Sequence, residues 1–416
     1  MENYTVILFM MALMIGLSAI ADKVKLPYPI LLIAGGIAIG FIPSFRHVDI
    51  NPEIIFLLFL PPLLYDASFQ ISFKEFKDNL NTISTLAVSL VFLTASGIAV
   101  VVYYLMPGMT WPLAFVLGAI LSATDAVAAM SITKGLGLSH KTNTILEGES
   151  LINDASALVA YRFAVATVMG AGFVLWKASL NFAVLLGGGF LVGFIIGKVL
   201  SFFLSKIHHN QTVTISLMLL MPFVTYLLAE QLHVSGVIAV VMLGLVTSRF
   251  SNKIFPAGLK QQSKSIWDMI IFLLNGLIFI LIGLEFPFVL KEIDSEMLLP
   301  YFGYAVVITI VALLLRMARV FLQKVNLDKA FQSTRGRRKV SENALLNFYD
   351  SLIISWSGMR GIVSLAIAIG LPQTLPDGSP FPQRNAIIFI SIAVVLITLV
   401  GQGLTLPWIV KKARSA

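Results

Sequence analysis

Thirteen apolar segments follow one another with hardly a break, near 4–21, 27–43, 51–70, 81–106, 111–133, 142–170, 178–205, 211–230, 234–249, 262–284, 297–322, 350–371 and 385–410. Most reach the roughly 17–25 residues that a helix needs to cross the hydrocarbon core of a bilayer. Of the 416 residues, 58% are hydrophobic and 12% charged, where a soluble domain carries roughly 25% charged residues. A water-soluble globule, a disordered tail and an ordinary nucleic-acid binder are thereby excluded, and membrane lipid becomes an obligatory partner. Inside lipid every backbone N–H and C=O must find its partner within the protein, so segments of this length are read as helices. The expected fold is an all-α integral membrane protein of about thirteen transmembrane helices. The absence of cysteine removes disulfides, thiolate metal sites and thiol nucleophiles together.

The net charge of +8 is expected to be topology rather than a polyanion-binding surface. When the loops are assigned alternately to the two sides, twenty Lys and Arg fall on the side of Lys23 and Lys25, and only Arg46, Lys177, Lys291 and Arg384 on the other. The positive-inside rule then places the N-terminus outside and the C-terminus in the cytoplasm. Ala19-Ile20-Ala21 resembles a signal-peptide cleavage site, but no positive charge precedes the first apolar run, so a retained helix is expected. The hydrophilic stretch at 323–349, with Arg335-Gly336-Arg337-Arg338-Lys339, reads as a cytoplasmic loop, and no soluble domain is expected after the last span. Small residues four apart, at Gly36 and Gly40 and at Gly189, Gly193 and Gly197, are expected to seat neighbouring helices closely.

Seven ionisable residues lie deep in apolar sequence: Asp66, Asp125, Glu149, Asp154, Arg162, Lys198 and Arg360. Each costs roughly 2.5–3.5 kcal/mol near the centre of a span, so such groups pair with one another or face a watered path. Lys198 is close enough to a helix end to reach the interface. On the sixth span Ser150 and Asp154 are four apart and share a face. Glu149 and Asp154, five apart, diverge by about 140° and cannot serve one point. One acid can face a transport path while the other turns into the protein, and Arg360 is the expected partner for Glu149.

Two spans carry weak helix formers in mid-run: Ser122-Ala123-Thr124-Asp125-Ala126 in the fifth and Ser357-Gly358-Met359-Arg360-Gly361 in the twelfth. If spans 1–6 and 8–13 are inverted repeats, these breaks occupy corresponding positions, the arrangement that marks a binding site near the midplane of a transporter. In the third span Pro61-Pro62 precedes Asp66 by about one turn. A buried carboxylate among hydroxyl, amide and carbonyl oxygens suits a proton or a hard monovalent cation. Burial disfavours its charged form and a bound cation restores it, so the two ligands compete, which is the minimal basis of exchange.

Two other classes fit less well. Gly148-Glu149-Ser150 resembles the Gly-x-Ser of an intramembrane serine protease, but the five histidines (His47, His140, His208, His209, His233) lie in loops or at span ends. The same positions offer no metal-ligand spacing. An anion carrier or channel would place basic groups at the breaks without Asp125 and Asp154 nearby.

Four motifs, Leu60-Pro61-Pro62-Leu63-Leu64-Tyr65-Asp66-Ala67, Thr124-Asp125-Ala126-Val127-Ala128, Glu149-Ser150-Leu151-Ile152-Asn153-Asp154-Ala155 and Gly358-Met359-Arg360-Gly361, occur in this order. Together they resemble the monovalent cation:proton antiporters of the bacterial NhaP and animal sodium/proton exchanger branch, over essentially the whole chain. The resemblance implies a homodimer in the cell membrane exchanging sodium for protons by alternating access, with no cofactor; potassium or lithium could replace sodium. It implies scaffold and dimer helices at 1–78, transport-core helices at 79–172, a linker and further scaffold helices at 173–291, and core helices again at 292–416. By similarity Asp154 carries the exchanged ion, with Ser150 and the Thr124 carbonyl as ligands, Asp125 supporting the site and Asp66 at its edge. Asn153 would orient the broken helix, and the Asn-Asp pair goes with electroneutral one-for-one exchange. Glu149 and Arg360 would form a structural ion pair.

Overall fold

The computed structural model describes residues 3–24, 28–42, 52–71, 73–133, 136, 138–170, 175–332 and 344–414. Their elements are α1 (Asn3–Val24), α2 (Tyr28–Gly40), α3 (Pro52–Gln70), α4 (Phe73–Asp78), α5 (Leu80–Ser84), a π-helical turn (Thr85–Leu90), α6 (Val91–Leu105), α7 (Trp111–Ile120), α8 (Ala126–Thr133) and α9 (His140–Val168). There follow α10 (Leu175–Ile207), α11 (Gln211–Gln231), α12 (Gly236–Ile254), α13 (Ala257–Lys291), α14 (Ser295–Gln332), α15 (Phe348–Trp356), α16 (Ile362–Ile369) and α17 (Arg384–Arg414). The described residues of the apolar segments are mainly helical, and the described residues hold no β-strand, only an isolated bridge between Thr374 and Pro380. Eight helices among the described residues are long and apolar enough to cross a membrane by themselves: α5–α6 taken together, α9 to α14, and α17. The expected fifth and twelfth spans are each split, into α7 and α8 and into α15 and α16.

One boundary differs from expectation. The hydrophilic stretch beginning at 323 continues α14 as helix to Gln332, because Val320, Gln323 and Leu327 keep one buried stripe going while Lys324 and Asp328 pair at 2.8 Å on the other face. Arg335–Lys339 lie outside the described residues.

Packing divides the chain into two compact units. The smaller comprises Asn51–Lys77 and Gly172–Leu274, and α12 is its centre, against α3, α10 and α11. The α10–α12 seam is backbone to backbone: a Cβ on Gly193 would overlap the Ala239 carbonyl. Tyr65 of α3 stacks at 5.1 Å on Trp267, one of the largest fully buried side chains.

The larger unit comprises Met1–Ile50, Asp78–Ala171 and Asn275–Ala416. Here α2 and the second part of α13 meet where Gly36 faces Gly283; a Cβ on either would run into a carbonyl of the other helix, Ile280 or Ile33 respectively. Helix α9 is the least apolar of the eight long helices and yet among the most buried, which places its polar side chains inside the protein. Ser139 caps it, accepting from the Thr142 amide at 3.0 Å. Its first turn is tied to the start of α15, since Asp350 accepts from the Thr142 hydroxyl at 2.9 Å and lies 3.3 Å from Lys141 Nζ.

The glycine seam yields a direct comparison along one helix. Gly193→Leu should destabilise the protein by about 1–3 kcal/mol through overpacking, whereas Gly187→Leu, with nothing within 4 Å of its Cβ, should not. Thermal unfolding of the two variants in detergent measures the difference.

Candidate functional site

Both helix breaks fall where the sequence interrupts its apolar runs, and they meet each other. Residues Leu121–Asp125 separate α7 from α8, and Ser357–Gly361 separate α15 from α16. The Asp125 amide donates to the Met359 carbonyl at 2.8 Å, and the Ser364 hydroxyl donates to the Ala123 carbonyl at 3.3 Å. The Asp125 carboxylate serves two helix N-termini at once. Its Oδ1 accepts from the Ala128 amide of α8 at 3.2 Å, and its Oδ2 from the Ile362 amide of α16 at 3.5 Å. One negative charge thus answers the positive ends of both half-helices. Position 361 must be glycine for this approach, because a Cβ there would overlap the Asp125 carboxylate.

Helix α9 crosses next to this junction. Ser150 Oγ donates to the Thr124 carbonyl at 3.0 Å and receives a long contact of 3.5 Å from the Ala126 amide. Asn153 Nδ2 donates to Thr124 Oγ1 at 2.9 Å, and that hydroxyl donates in turn to Glu149 Oε1 at 3.4 Å. Thr124 is held through both its carbonyl and its side chain. Asp154, on the same face as Ser150, is buried, and its Oδ1 has no hydrogen-bond partner among the described residues. Its acidic neighbours Asp125 and Glu149 lie within electrostatic range. A buried aspartate oxygen left unsatisfied calls for a further partner, and Asp154 lies one helical turn along α9 from Ser150, whose hydroxyl is bonded to the Thr124 carbonyl.

The ion pair expected between Glu149 and Arg360 is formed by Glu149 and Arg316 instead. Arg316 Nη1 bonds Glu149 Oε1 and Nη2 bonds Oε2 at 2.8 Å, while Nε donates to the Ile354 carbonyl at 3.0 Å. Both residues are buried. Helical phase correctly turned Glu149 away from Asp154 but could not say which neighbouring helix it would meet. Arg316 was missed although it interrupts Leu313-Leu314-Leu315 of α14, the same signal that marked the other intramembrane charges. Arg360 is also buried, with a backbone amide that donates to Thr398 Oγ1 at 3.2 Å; among the described residues its guanidinium donates to the Gly358 carbonyl at 3.4 Å and its Nε has no partner.

Asp66 belongs to the smaller unit, where Gln70 Nε2 donates to its Oδ2 at 2.7 Å and Asp268 and Lys264 are its charged neighbours. Arg162 and Lys198 are exposed, and Lys198 Nζ sits 5.6 Å from the Phe194 ring centroid. Among the described residues no three His, Asp or Glu are grouped as for a tightly held metal. The open polar cleft lined by Glu292, Asp294, Tyr301, Gln373 and Arg384 contains none of the site residues.

Two broken helices that cross beside a buried acid, within a bundle of apolar helices, define a secondary transporter. The sequence pattern of the sodium/hydrogen exchanger transmembrane region matches residues 9–412; the chain belongs to the sodium/hydrogen exchanger family. It is 34% identical to the sodium, potassium, lithium and rubidium/H+ antiporter of Bacillus pumilus over 99% of its own length, and it spans 62% of that longer protein. It is 31% identical to the Na+/H+ antiporter ApNhaP of Aphanothece halophytica, covering 99% of this chain and 75% of that one. The sodium proton antiporter MjNhaP1 of Methanocaldococcus jannaschii shares the fold, with a TM-score of 0.72 at 20% identity over 99% of both chains.

The reassigned pair predicts a specific coupling. Removing one partner, by Glu149→Gln or Arg316→Gln, should cost about 3–5 kcal/mol, because a buried charge is left uncompensated. A double-mutant cycle on thermal stability should find strong coupling of Glu149 to Arg316. Coupling to Arg360 of equal size would contradict the assignment.

Proposed function

We propose that this protein exchanges a monovalent cation, sodium in the first instance, for a proton across the cell membrane, and that both ligands use Asp154 in turn. The observation that carries this reading is the buried, hydrogen-bond-deficient Asp154 Oδ1, one helical turn along α9 from the Ser150 hydroxyl that bonds the Thr124 carbonyl at the helix break. A protonated Asp154 can donate to one of these oxygens; a deprotonated one needs a cation to offset its burial. The competition couples the two fluxes without a further device. Asn153 contributes an amide rather than a second acid, so a single titratable charge changes per cycle, and we assign one-for-one electroneutral exchange. Asp125 holds the two half-helix ends, and the Glu149–Arg316 pair steadies α9 against α14.

The rest of the proposal follows the charge distribution and the family. Twenty basic residues on one side support an N-terminus outside and a C-terminus in the cytoplasm. Helices within 79–172 and 292–416 would move as the transport core, helices within 1–78 and 173–291 would supply scaffold and dimer contacts, and access to Asp154 would alternate between the two sides. Potassium is the second reading for the cation, favoured by the name of the Bacillus pumilus relative, which includes sodium, potassium, lithium and rubidium.

Proteoliposomes holding an imposed pH gradient and a pH-sensitive dye test the proposal. Sodium should collapse the gradient; potassium and lithium added separately rank the cations. Asp154→Asn should abolish the response, and Asp66→Asn should reduce it less. Full activity in Asp154→Asn would remove Asp154 from the mechanism. An imposed membrane potential should leave the rate unchanged, and a steep voltage dependence would contradict one-for-one stoichiometry.

A further inference from the structure

Helix α16 has a charged anchor at each end. Its N-terminus meets the Asp125 carboxylate at the crossing, as described above. At its C-terminus three consecutive carbonyls, of Ile369, Gly370 and Leu371, each accept a side-chain hydrogen bond. Arg384, the first residue of α17, donates from Nη2 to Ile369 at 3.3 Å and from Nε to Leu371 at 3.2 Å. Tyr161 of α9 donates its hydroxyl to Gly370 at 3.3 Å. Carbonyls at a helix end are otherwise unpaired, and a cation there complements the helix dipole. Arg384 is partly buried, with Glu285 and Glu292 as acidic neighbours, and Tyr161 is 6% exposed.

The two anchors differ in what they connect. Tyr161 is seven residues beyond Asp154 on α9, two helical turns along the same face, roughly 10 Å of rise. The helix that carries the exchange acid therefore also grips the far end of the half-helix whose near end touches Asp125. Eight residues of α16 span about 12 Å, too short to bend between its ends, so a displacement of its outer end is delivered to the crossing.

We propose that Arg384 and Tyr161 are positioning residues for cation exchange: by fixing the C-terminal end of α16 they set where its N-terminal end lies relative to Asp125 and Asp154. The inference rests on the exchange function proposed above. Neither residue touches the ion, and the effect falls on apparent cation affinity.

The test measures sodium-dependent exchange in proteoliposomes for the wild type, Asp154→Asn, Tyr161→Phe, Arg384→Gln and Arg384→Lys, with thermal stability of each in detergent. Tyr161→Phe removes one oxygen from an otherwise unchanged ring and is the variant least able to disturb folding. Tyr161→Phe and Arg384→Gln should each raise the sodium KM roughly tenfold, the equivalent of about one hydrogen bond, with little change in maximal rate. Arg384→Lys should recover part of that affinity. If the variants lose only thermal stability while the folded protein keeps the wild-type KM, the two residues are helix caps and the positioning role is wrong. If the wild type exchanges and Asp154→Asn does not, that outcome overturns the positioning role alone. A wild type that exchanges no cation overturns the proposed function and the positioning role with it.

Discussion

A helix cannot be interrupted inside a bilayer unless the amides and carbonyls released at the break find partners, and hydrocarbon supplies none. This chain meets the requirement by interrupting two helices at one place. The backbone of one break satisfies the other through Asp125 and Met359, and the two half-helix N-termini share one carboxylate. Irregular backbone within the bundle is thereby satisfied by hydrogen bonds from the other break. The position of Asp154 has meaning only because of this junction. The same acid facing an unbroken apolar helix would be an error of folding.

Around the junction the charges are sorted by helix phase. Glu149 is committed to Arg316 by a two-pronged contact, and Thr124 is clasped between Glu149 and Asn153. A buried ion pair of this kind adds little net stability over an apolar one, but losing half of it is severe. Its effect here is to engage both oxygens of Glu149 and to fix the rotation of α9, so that Ser150 faces the break.

The helices themselves were legible because lipid imposes one rule on every segment, and the two interruptions were legible because Ser, Gly, Thr and Asp stand where an apolar run should continue. Glu149 and Asp154 could be assigned to different faces from their five-residue spacing alone. The partner of Glu149 could not, since the phase of α9 says nothing about which of α14 or the twelfth span lies opposite. Arg316 was obscured further by the strength of the leucine run around it. The bond from Asp125 to the Ile362 amide and the anchor of Tyr161 on the Gly370 carbonyl were equally out of reach: both depend on residues more than two hundred positions apart arriving at hydrogen-bond distance. The end of α14 at Gln332 shows the complementary limit, where a buried stripe too thin to register as a span still carries the helix onward.

The glycine seams have a mechanical meaning. Where Gly36 lies on Gly283, and Gly193 on Ala239, each helix backbone fits the other as a key fits its slot. Sliding either pair lengthwise by one residue would bring a side chain to a place that holds only hydrogen. Such joints have a single register, so the paired helices can roll or tilt together but cannot shear past one another. The helix pairs thus carry built-in limits on the freedom of their parts, written in the one amino acid that has no side chain.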